Sequence, residues 1–480
     1  MTALPRSRRY LVLAICCSSL LLVSMDTTIV NVALPAIRAD FGASLADLQW
    51  TIDAYTLVLA SLLLLSGSTA DRIGRRRTFQ TGLVVFTLGS LLCSVAPGLG
   101  WLVAARVLQA VGGSMLNPVA MSIITTVFPD PRERARAIGI WAGVVGLALA
   151  LGPVVGGLLT ETIGWRANFW INVPLGVAAL VLAAVFVPES RAARPRRLDP
   201  VGQVLVVAAL LTLTTAIIEG PRRGWTSPLV LGAVAVAVGA VAGLARYEPR
   251  RRDPLLQVEF FRSAPFTGAV VTAVAVFATF GGFLFLNTLY LQEVRGFSPL
   301  DAGLATLPLA LAALVAAPLS GRLVASRGAR TPYLLAAVGL TAATLALTAL
   351  SASTPLPYLL VVYLVFGAGF GMANSPVTNA AVSGMPREQA GVAAATASTS
   401  RQVGSALGVA VAGSIAGASG GAIGAGFPAA THPVWWIAAA CGLLVGVLGV
   451  ATTGRWARGT VERAAPLVDA APGTAPTGAR

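Results

Sequence analysis

Long apolar segments, each followed by a short polar loop, recur along the whole chain. Most are about 20 residues long, which is the length that an α-helix needs to cross a bilayer. Proline and glycine pairs such as Pro97-Gly98 and Gly220-Pro221 lie between them. Fourteen segments follow this pattern, at 10–35, 48–70, 78–96, 100–127, 137–160, 166–187, 201–219, 228–246, 266–291, 302–324, 331–350, 357–381, 391–416 and 433–453. The pattern predicts an all-α membrane protein with fourteen transmembrane helices.

The composition agrees with a chain that lies mostly in lipid. Of 480 residues, 56% are hydrophobic and 11% are charged, and the mean hydropathy is +0.79. Soluble domains carry about 25% charged residues. The net charge of +15 could suggest nucleic acid, but the arginines are spread over many short loops, so we expect a lipid bilayer and no nucleic acid as partner.

The residue types that are missing exclude several functions. All 34 basic residues are Arg, so a phosphate-binding P-loop and a Schiff-base lysine are both impossible. The chain has one histidine, His432, and its four cysteines lie in apolar segments without metal-ligand spacing. We therefore expect no cofactor and no metal.

The distribution of arginine predicts the orientation in the membrane. Arginines concentrate in the N-terminal tail and in every second loop, and the alternate loops hold few. Because basic loops stay in the cytoplasm, both termini are predicted to be cytoplasmic. The first apolar run continues through Asp26 to Pro35 without a small-residue cleavage site, which predicts an uncleaved first helix.

A weak internal repeat indicates two related halves. Residues 112–118, Gly-Gly-Ser-Met-Leu-Asn-Pro, are similar to residues 369–376, Gly-Phe-Gly-Met-Ala-Asn-Ser-Pro. Two such halves around a central cavity are typical of transporters. The predicted units are a six-helix bundle at 1–190, two additional helices with cytoplasmic linkers at 191–262, a second six-helix bundle at 263–455 and a disordered cytoplasmic tail at 456–480.

The loop after the second segment carries the first recognisable motif. Residues 67–77 read Gly-Ser-Thr-Ala-Asp-Arg-Ile-Gly-Arg-Arg-Arg, which closely resembles the G-x-x-x-D-R-x-G-R-R loop of the major facilitator superfamily. Gly67 and Gly74 permit a tight turn, and Asp71 can meet Arg72, Arg75 or a helix N-terminus. We interpret these five residues as a conformational latch. The alternative is an ordinary basic loop.

Other stretches narrow the resemblance. Gly152, Pro153, Gly156 and Gly157 on the fifth segment are similar to the antiporter motif of drug exporters, although close helix packing alone would also explain them. Residues 26–35, 164–174 and 290–303 are similar to the fourteen-helix drug:proton antiporter branch. The resemblance implies two six-helix bundles, two extra central helices and proton-coupled export of drugs, antibiotics or other amphipathic small molecules.

Three charged residues are predicted to lie at one depth in the membrane. Asp26 lies about 24 Å along the first helix, which runs outward; Asp53 lies about 7 Å and Arg106 about 8 Å along helices that run inward. We hypothesise that they form a proton-coupling cluster in which the two acids titrate as a coupled pair. Asp53 could instead be exposed at the outer mouth, and Arg106 could be a structural counter-ion.

Further polar residues within the segments are candidates for a substrate cavity. They are Asn31, Gln109, Asn117, Asn287, Asn374 and Arg401. The amides could equally hydrogen-bond between helices. Arg401 could meet an anionic part of a substrate, or it could pair with the Asp71 loop or snorkel. With no acid in the middle of the last six helices, we expect neutral, amphipathic or singly charged substrates.

Two other functions compete with export. A proton-coupled uptake symporter would share the same fold, but the fifth-helix motif and the opening stretch favour export. A membrane enzyme lacks support, because the sequence offers no nucleophile–base set, metal spacing or cofactor loop. The arginine-, alanine- and glycine-rich composition favours a bacterial plasma membrane as the location.

Overall fold

The computed structural model describes residues 5–192, 198–251, 254–255, 257–383, 390–418 and 423–469. Its α-helices, in chain order, are α1 (Arg6–Phe41), α2 (Leu45–Ile73), α3 (Arg75–Ser94), α4 (Leu99–Val127), α5 (Pro131–Thr162), α6 (Ala167–Trp170), α7 (Asn172–Phe186), α8 (Pro200–Arg223), α9 (Pro228–Tyr247), α10 (Ala264–Leu289), α11 (Pro299–Ala305), α12 (Leu307–Arg327), α13 (Arg330–Leu347), α14 (Leu356–Val382), α15 (Ala390–Ala418), α16 (Phe427–Ala451) and α17 (Arg455–Asp469). A π-helical segment, Tyr290–Val294, follows α10 directly.

Helices occupy all fourteen predicted segments, with α6 and α7 sharing one segment and α11 and α12 sharing another. Twelve helical stretches of the described chain are long and apolar enough to cross a membrane. Helices α3 and α15 are not among the twelve. Helix α3 starts with three consecutive arginines, and α15 carries Arg401 and Gln402 in its middle, so both are less apolar than the others.

Local signals in the sequence set the helix starts. The Ser44 hydroxyl accepts from the Asp47 amide while the Asp47 carboxylate accepts from the Ser44 amide, a capping box that begins α2. Asp130 accepts from two amides of the first turn of α5, and Pro131 occupies the position where a missing N–H costs nothing. These caps orient helices that line the cavity described below.

The helices pack as two bundles with a pair between them. Helices α1–α7 pack mainly on one another, as do α10 and α12–α16, whereas the short α11 packs mainly on α5. Helix α8 packs on α2 and α15, with α9 outside it. Small residues allow close approach: a β-carbon at Gly89 would lie 2.6 Å from Gln109 Cα, and one at Gly404 would lie 2.9 Å from Val274 Cα. Many large apolar side chains of α9 face outward, for example Val238 at 64% exposure, as expected for contact with lipid.

The predicted disordered tail is wrong for its first part. Residues up to Asp469 form α17, which packs against α10 and the 3₁₀ turn Val258–Arg262. Ala457, Thr460 and Ala464 are buried at helical spacing, and the Thr460 hydroxyl accepts from the Ala264 amide. In this first part the amphipathic spacing therefore outweighs the Ala-, Pro- and Gly-rich composition on which the prediction rested. The remainder of the predicted tail, 470–480, lies outside the described residues.

Candidate functional site

A fully buried ion pair joins α1 to α4 in the first bundle. Arg106 Nη1 lies 2.5 Å from Asp26 Oδ2, and neither side chain is more than 2% exposed. Their similar depth, together with the fold that the resemblance implies, predicted that these two residues would meet, and the structure brings them together. Removing such a pair from water is costly, so its presence inside an apolar bundle calls for further polar contacts.

Those contacts come from three neighbouring helices. The Asp26 Oδ1 atom accepts hydrogen bonds from Gln109 Nε2 at 2.8 Å and from Asn172 Nδ2 at 3.0 Å. Both amides also donate to the Ser90 hydroxyl, at 3.1 and 3.0 Å, and that hydroxyl donates to the Phe169 carbonyl. Together α1, α3, α4 and α7 hold the carboxylate in a fixed position.

The guanidinium of Arg106 is held equally firmly. Its Nη1 also donates to Gln109 Oε1 at 2.8 Å, and its Nε donates to the Thr51 carbonyl of α2 at 3.3 Å. The guanidinium carbon lies 4.1 Å from the centre of the Tyr55 ring, a cation–π contact. Arg106 thus connects the ion pair to α2.

Asp53 does not join this pair. It is fully buried, which rules out exposure at an outer mouth, but within the described residues it makes no ion pair. Its Oδ1 atom is 3.5 Å from the Thr56 hydroxyl of its own helix, and its Oδ2 atom has no partner. The structure therefore separates the two acids that the sequence placed in one cluster.

A large cavity lies between the two bundles. Its volume is about 1550 Å³. We call the side of the molecule where α1 begins the proximal face, and the side where α1 ends the distal face. The cavity extends from the middle of the molecule to the proximal face, where Asp71, Asp199 and Pro254 line it.

The polar candidates divide between the cavity and the helix packing. Of the predicted candidates, Asn31, Asn117, Asn374 and Arg401 line the cavity. Gln109 belongs instead to the ion-pair network described above. Asn287 accepts a hydrogen bond from the Tyr363 hydroxyl, so it links α10 to α14 rather than facing the cavity.

The distal face is closed by contacts between the two bundles. Arg38 of α1 forms an ion pair with Glu293 of the π-helical segment. Next to it, Gln292 Nε2 donates to the Val32 carbonyl at 2.8 Å, and the Leu300 amide donates to a Glu161 carboxylate oxygen at 3.1 Å. Among the described residues, these contacts close the cavity at the distal face, and its opening lies at the proximal face.

The antiporter motif belongs to this closure. A β-carbon at Gly157 would lie 2.7 Å from Leu300 Cα, so α5 and α11 touch through their backbones. Gly303 of α11 packs in the same way on Pro153. Gly152 and Gly156 face α1, and a β-carbon at Gly156 would lie 2.6 Å from Ile29 Cγ1. The motif thus permits close packing both within the first bundle and between the bundles.

The residues that the sequence predicts as a conformational latch lie within the first bundle. Arg75 Nη2 lies 3.0 Å from Asp71 Oδ1, and Arg75 also donates to the Thr126 hydroxyl of α4 at 2.5 Å. Gly74 has a φ of +126°, and a β-carbon there would lie 2.6 Å from Glu189 Oε1. Arg72 is exposed, and a β-carbon at Gly67 would have open space around it.

Arg401 stands apart from the latch. It lies on α15, its Nη2 donates to the Thr378 hydroxyl of α14 at 2.5 Å, and its guanidinium carbon is 5.9 Å from the centre of the Phe277 ring. The predicted alternative, pairing with the Asp71 loop, is absent from this conformation, since Asp71 pairs with Arg75.

Two residues of the ion-pair network were not predicted as site residues. Asn172 is the polar residue at the start of the otherwise apolar α7 and lies within the 164–174 stretch that carries the family resemblance, whereas Ser90 is one of several hydroxyl-bearing residues of α3. An intramembrane amide was the available signal, but nothing in its own helix shows that it faces Asp26. Among the described residues no group of three His, Cys, Asp or Glu side chains could hold a metal ion.

Comparison with known proteins agrees with this geometry. Residues 16–409 match the family model described as Major Facilitator Superfamily. The chain is 36% identical over 386 residues to the multidrug resistance protein Stp of Mycobacterium tuberculosis, covering 80% of this chain and 72% of that protein. It is 39% identical over 386 residues to the tetracenomycin C resistance and export protein of Streptomyces glaucescens, covering 80% and 71%.

A solved structure supports the fold over nearly the whole length. The crystal structure of a POT family transporter in complex with 5-aminolevulinic acid superposes with a TM-score of 0.70 at 14% sequence identity. The match covers 94% of this chain and 97% of that one. At this identity the likeness shows the fold alone.

Proposed function

The chain belongs to the major facilitator superfamily as a multi-pass transporter of the bacterial plasma membrane, and we propose that it exports amphipathic small molecules in exchange for protons. In this proposal all fourteen helical segments span the membrane and both termini are cytoplasmic, because the arginine-rich loops lie at the proximal face. Residues 1–190 and 263–455 form the two moving bundles, and residues 191–262 supply the two additional helices.

With this orientation the structure is an inward-open state. The proximal face is cytoplasmic, so the cavity of about 1550 Å³ receives substrate from the cytoplasm, and the contacts of Arg38 and Gly157 close the outside. Asn31, Asn117, Asn374 and Arg401 supply the polar contacts of the substrate site. Outward opening requires the contacts of Gly157 and Gly303 to part while the proximal ends of the bundles approach.

One observation supports the proposed proton coupling. The Asp26–Arg106 pair is buried between α1 and α4 and does not line the cavity, whereas Thr27 and Asn31 of the same helix do. A protonated Asp26 cannot keep an ion pair with Arg106, so proton uptake loosens the contact between α1 and α4. Because α1 is also a wall of the cavity, this changes the balance between inward- and outward-open states.

Asp53 is the second proton site in this proposal. Its neighbours Ile52 and Thr56 line the cavity. Helix α2 therefore resembles α1: one of its faces lines the cavity, and a buried acid lies on another face. A buried acid without a counter-ion is most easily accommodated in its protonated form. Arg106 contacts both Asp26 of α1 and the Thr51 carbonyl of α2, so a movement of either helix affects the helix that carries the other acid.

The proposal is tested by dye export from cells. Cells are loaded with the neutral dye N-phenyl-1-naphthylamine while an uncoupler collapses the proton gradient, and they are then washed and re-energised. Dye fluorescence should fall faster in cells that express the protein than in cells that lack it, and uncoupler should abolish the difference. Gradient-driven dye entry would instead indicate uptake, and equal rates in both strains would contradict transport of this substrate class.

A further inference from the structure

The charges on the cavity wall are unevenly distributed. Among the described residues that line the cavity, three are charged: Asp71, Asp199 and Arg401. The two acids lie at the proximal mouth and each has a polar partner: Asp71 forms an ion pair with Arg75, and Asp199 accepts a hydrogen bond from the Tyr247 hydroxyl at 3.2 Å. Arg401 lies about 16 Å along α15 from its proximal start. The inner part of the cavity therefore carries a positive charge.

This positive charge has no carboxylate partner. In the part of the chain that the structure describes, the polar contact of the guanidinium is the neutral Thr378 hydroxyl, and its Nε atom is buried without an acceptor. A guanidinium offers five N–H donors and does not deprotonate in proteins. An ionised residue at this depth is costly unless an anion or water compensates it. The arrangement leaves donors available for a ligand.

An aromatic wall lies beside Arg401. The rings of Phe280 and Phe370 stack with centroids 4.3 Å apart, and Phe277 meets Phe370 edge-on at 5.2 Å. All three line the cavity, and the Phe277 ring also makes a cation–π contact with the guanidinium of Arg401. Such a wall presents flat apolar faces for stacking a planar ring.

Resting on the proposed function and refining it, we propose that the cavity selects planar aromatic molecules with one acidic group. The rings of the substrate lie against Phe277, Phe280 and Phe370, and its carboxylate or phenolate accepts hydrogen bonds from Arg401. A planar guanidinium suits such an anion because two parallel N–H groups can bind two oxygens. An organic cation at the same position would face Arg401 without a compensating acid.

The test compares two probes that differ in charge alone. Binding of anthracene-2-carboxylate and of its neutral analogue anthracene-2-carboxamide is measured by fluorescence titration of the purified full chain in nanodiscs, with empty nanodiscs subtracted. The wild type should bind the carboxylate more tightly. Arg401→Gln should lower the ratio of the two affinities by about 10- to 100-fold, the effect of losing a charge-assisted hydrogen bond, and Arg401→Lys should restore part of it.

Two further variants complete the design. Arg322→Gln removes an exposed arginine of α12 that does not line the cavity, so it should leave the affinity ratio unchanged. Phe277→Leu should weaken both probes together, because it removes stacking area and not charge. Equal binding of both probes to the wild type, binding of neither, or an unchanged ratio in Arg401→Gln would overturn the proposal.

The outcomes separate this inference from the proposed function. If dye export is proton-driven but the affinity ratio does not depend on Arg401, the exporter assignment stands and the selectivity for acidic aromatic molecules is wrong. If the ratio depends on Arg401 but no gradient-driven export occurs, the binding site is real and the export assignment fails. If Arg401→Gln slows export of the neutral dye as much as that of the carboxylate, Arg401 acts in the conformational change instead.

Discussion

Replacing Asp26 by Asn is expected to destabilise the protein while leaving its substrate cavity intact. The Asp26 carboxylate accepts from Arg106 at 2.5 Å, from Gln109 at 2.8 Å and from Asn172 at 3.0 Å. An asparagine offers one oxygen in place of two, and its NH₂ group would then face one of these donors. The guanidinium of Arg106 would remain charged, fully buried and without its counter-ion.

The magnitude follows from the burial of the pair. Removing one partner of a buried ion pair costs about 3–5 kcal/mol of unfolding free energy, mainly because the other charge is left uncompensated. Combining Asp26→Asn with Arg106→Gln removes both charges, so the double variant should be less unstable than the sum of the single variants by about 1–3 kcal/mol.

Helix α1 offers a matched control for this prediction. Asp40 lies on the same helix and pairs with Arg166 at 2.8 Å, but both side chains are 41% exposed. Asp40→Asn should therefore cost less than about 1 kcal/mol. Unfolding in mixed detergent micelles, followed by tryptophan fluorescence, measures all four variants. If Asp26→Asn costs no more than Asp40→Asn, or if the two single effects simply add, the ion pair does not have the role assigned to it.

The same variant separates binding from coupling. Because Asp26 does not line the cavity, Asp26→Asn should still bind substrate and exchange it across the membrane of proteoliposomes when substrate is present on both sides. It should fail to move substrate against a gradient when a pH difference is applied. Full proton-driven accumulation by Asp26→Asn would refute the assignment of Asp26 as a proton carrier.

Three further predictions concern the closure and the second acid. Gly157→Val should prevent the distal face from closing, since even a β-carbon there would lie 2.7 Å from the backbone of α11, whereas Gly232→Val on the outer surface should transport normally; cysteine labelling from outside the cell measures the opening. Arg38→Glu and Glu293→Arg should each slow export, and the charge-reversed double variant should recover part of the rate if their ion pair holds the closed state. Asp53→Asn should not destabilise the protein in unfolding assays, because Asp53 makes no ion pair with any residue that the structure describes, but it should reduce the number of protons moved per substrate.

The sequence predicted the helices well and their limits less well. Segment length and turn residues were sufficient to locate fourteen helical regions, because each must satisfy its own backbone inside lipid. Helix α1 is longer than the predicted 10–35, since Arg6 and Phe41 continue the same helix beyond its apolar part. The tail helix α17 was missed because its buried face consists of small residues, Ala457, Thr460 and Ala464, which carry little hydrophobic signal.

The candidate site shows what the depth of a residue along its helix can predict and what it cannot. Depth along a helix is fixed by a rise of 1.5 Å per residue, so the meeting of Asp26 with Arg106 could be predicted. The direction in which a side chain points around its helix depends on neighbours distant in sequence. Depth therefore predicted that Asp53 would lie beside Arg106. In the structure, however, the part of α2 that contacts Arg106 is the Thr51 carbonyl, which accepts from the Arg106 Nε. The same limitation explains why Ser90 and Asn172 were missed and why Asn287 was kept as a cavity candidate beside the alternative of a hydrogen bond between helices.

The separation of the proposed proton site from the proposed substrate site along α1 has a consequence for selectivity. Consecutive residues of an α-helix point about 100° apart, so Asp26 can face the ion-pair network while Thr27 faces the cavity. Proton and substrate then share a helix without sharing a contact, and they influence each other only through the position of that helix. Changes on the cavity wall, such as those at Arg401, should alter which substrates are carried, whereas changes at Asp26 should affect every substrate equally. A transporter of this kind can accept chemically different molecules while its use of protons stays the same, because no substrate group has to replace the proton at its site.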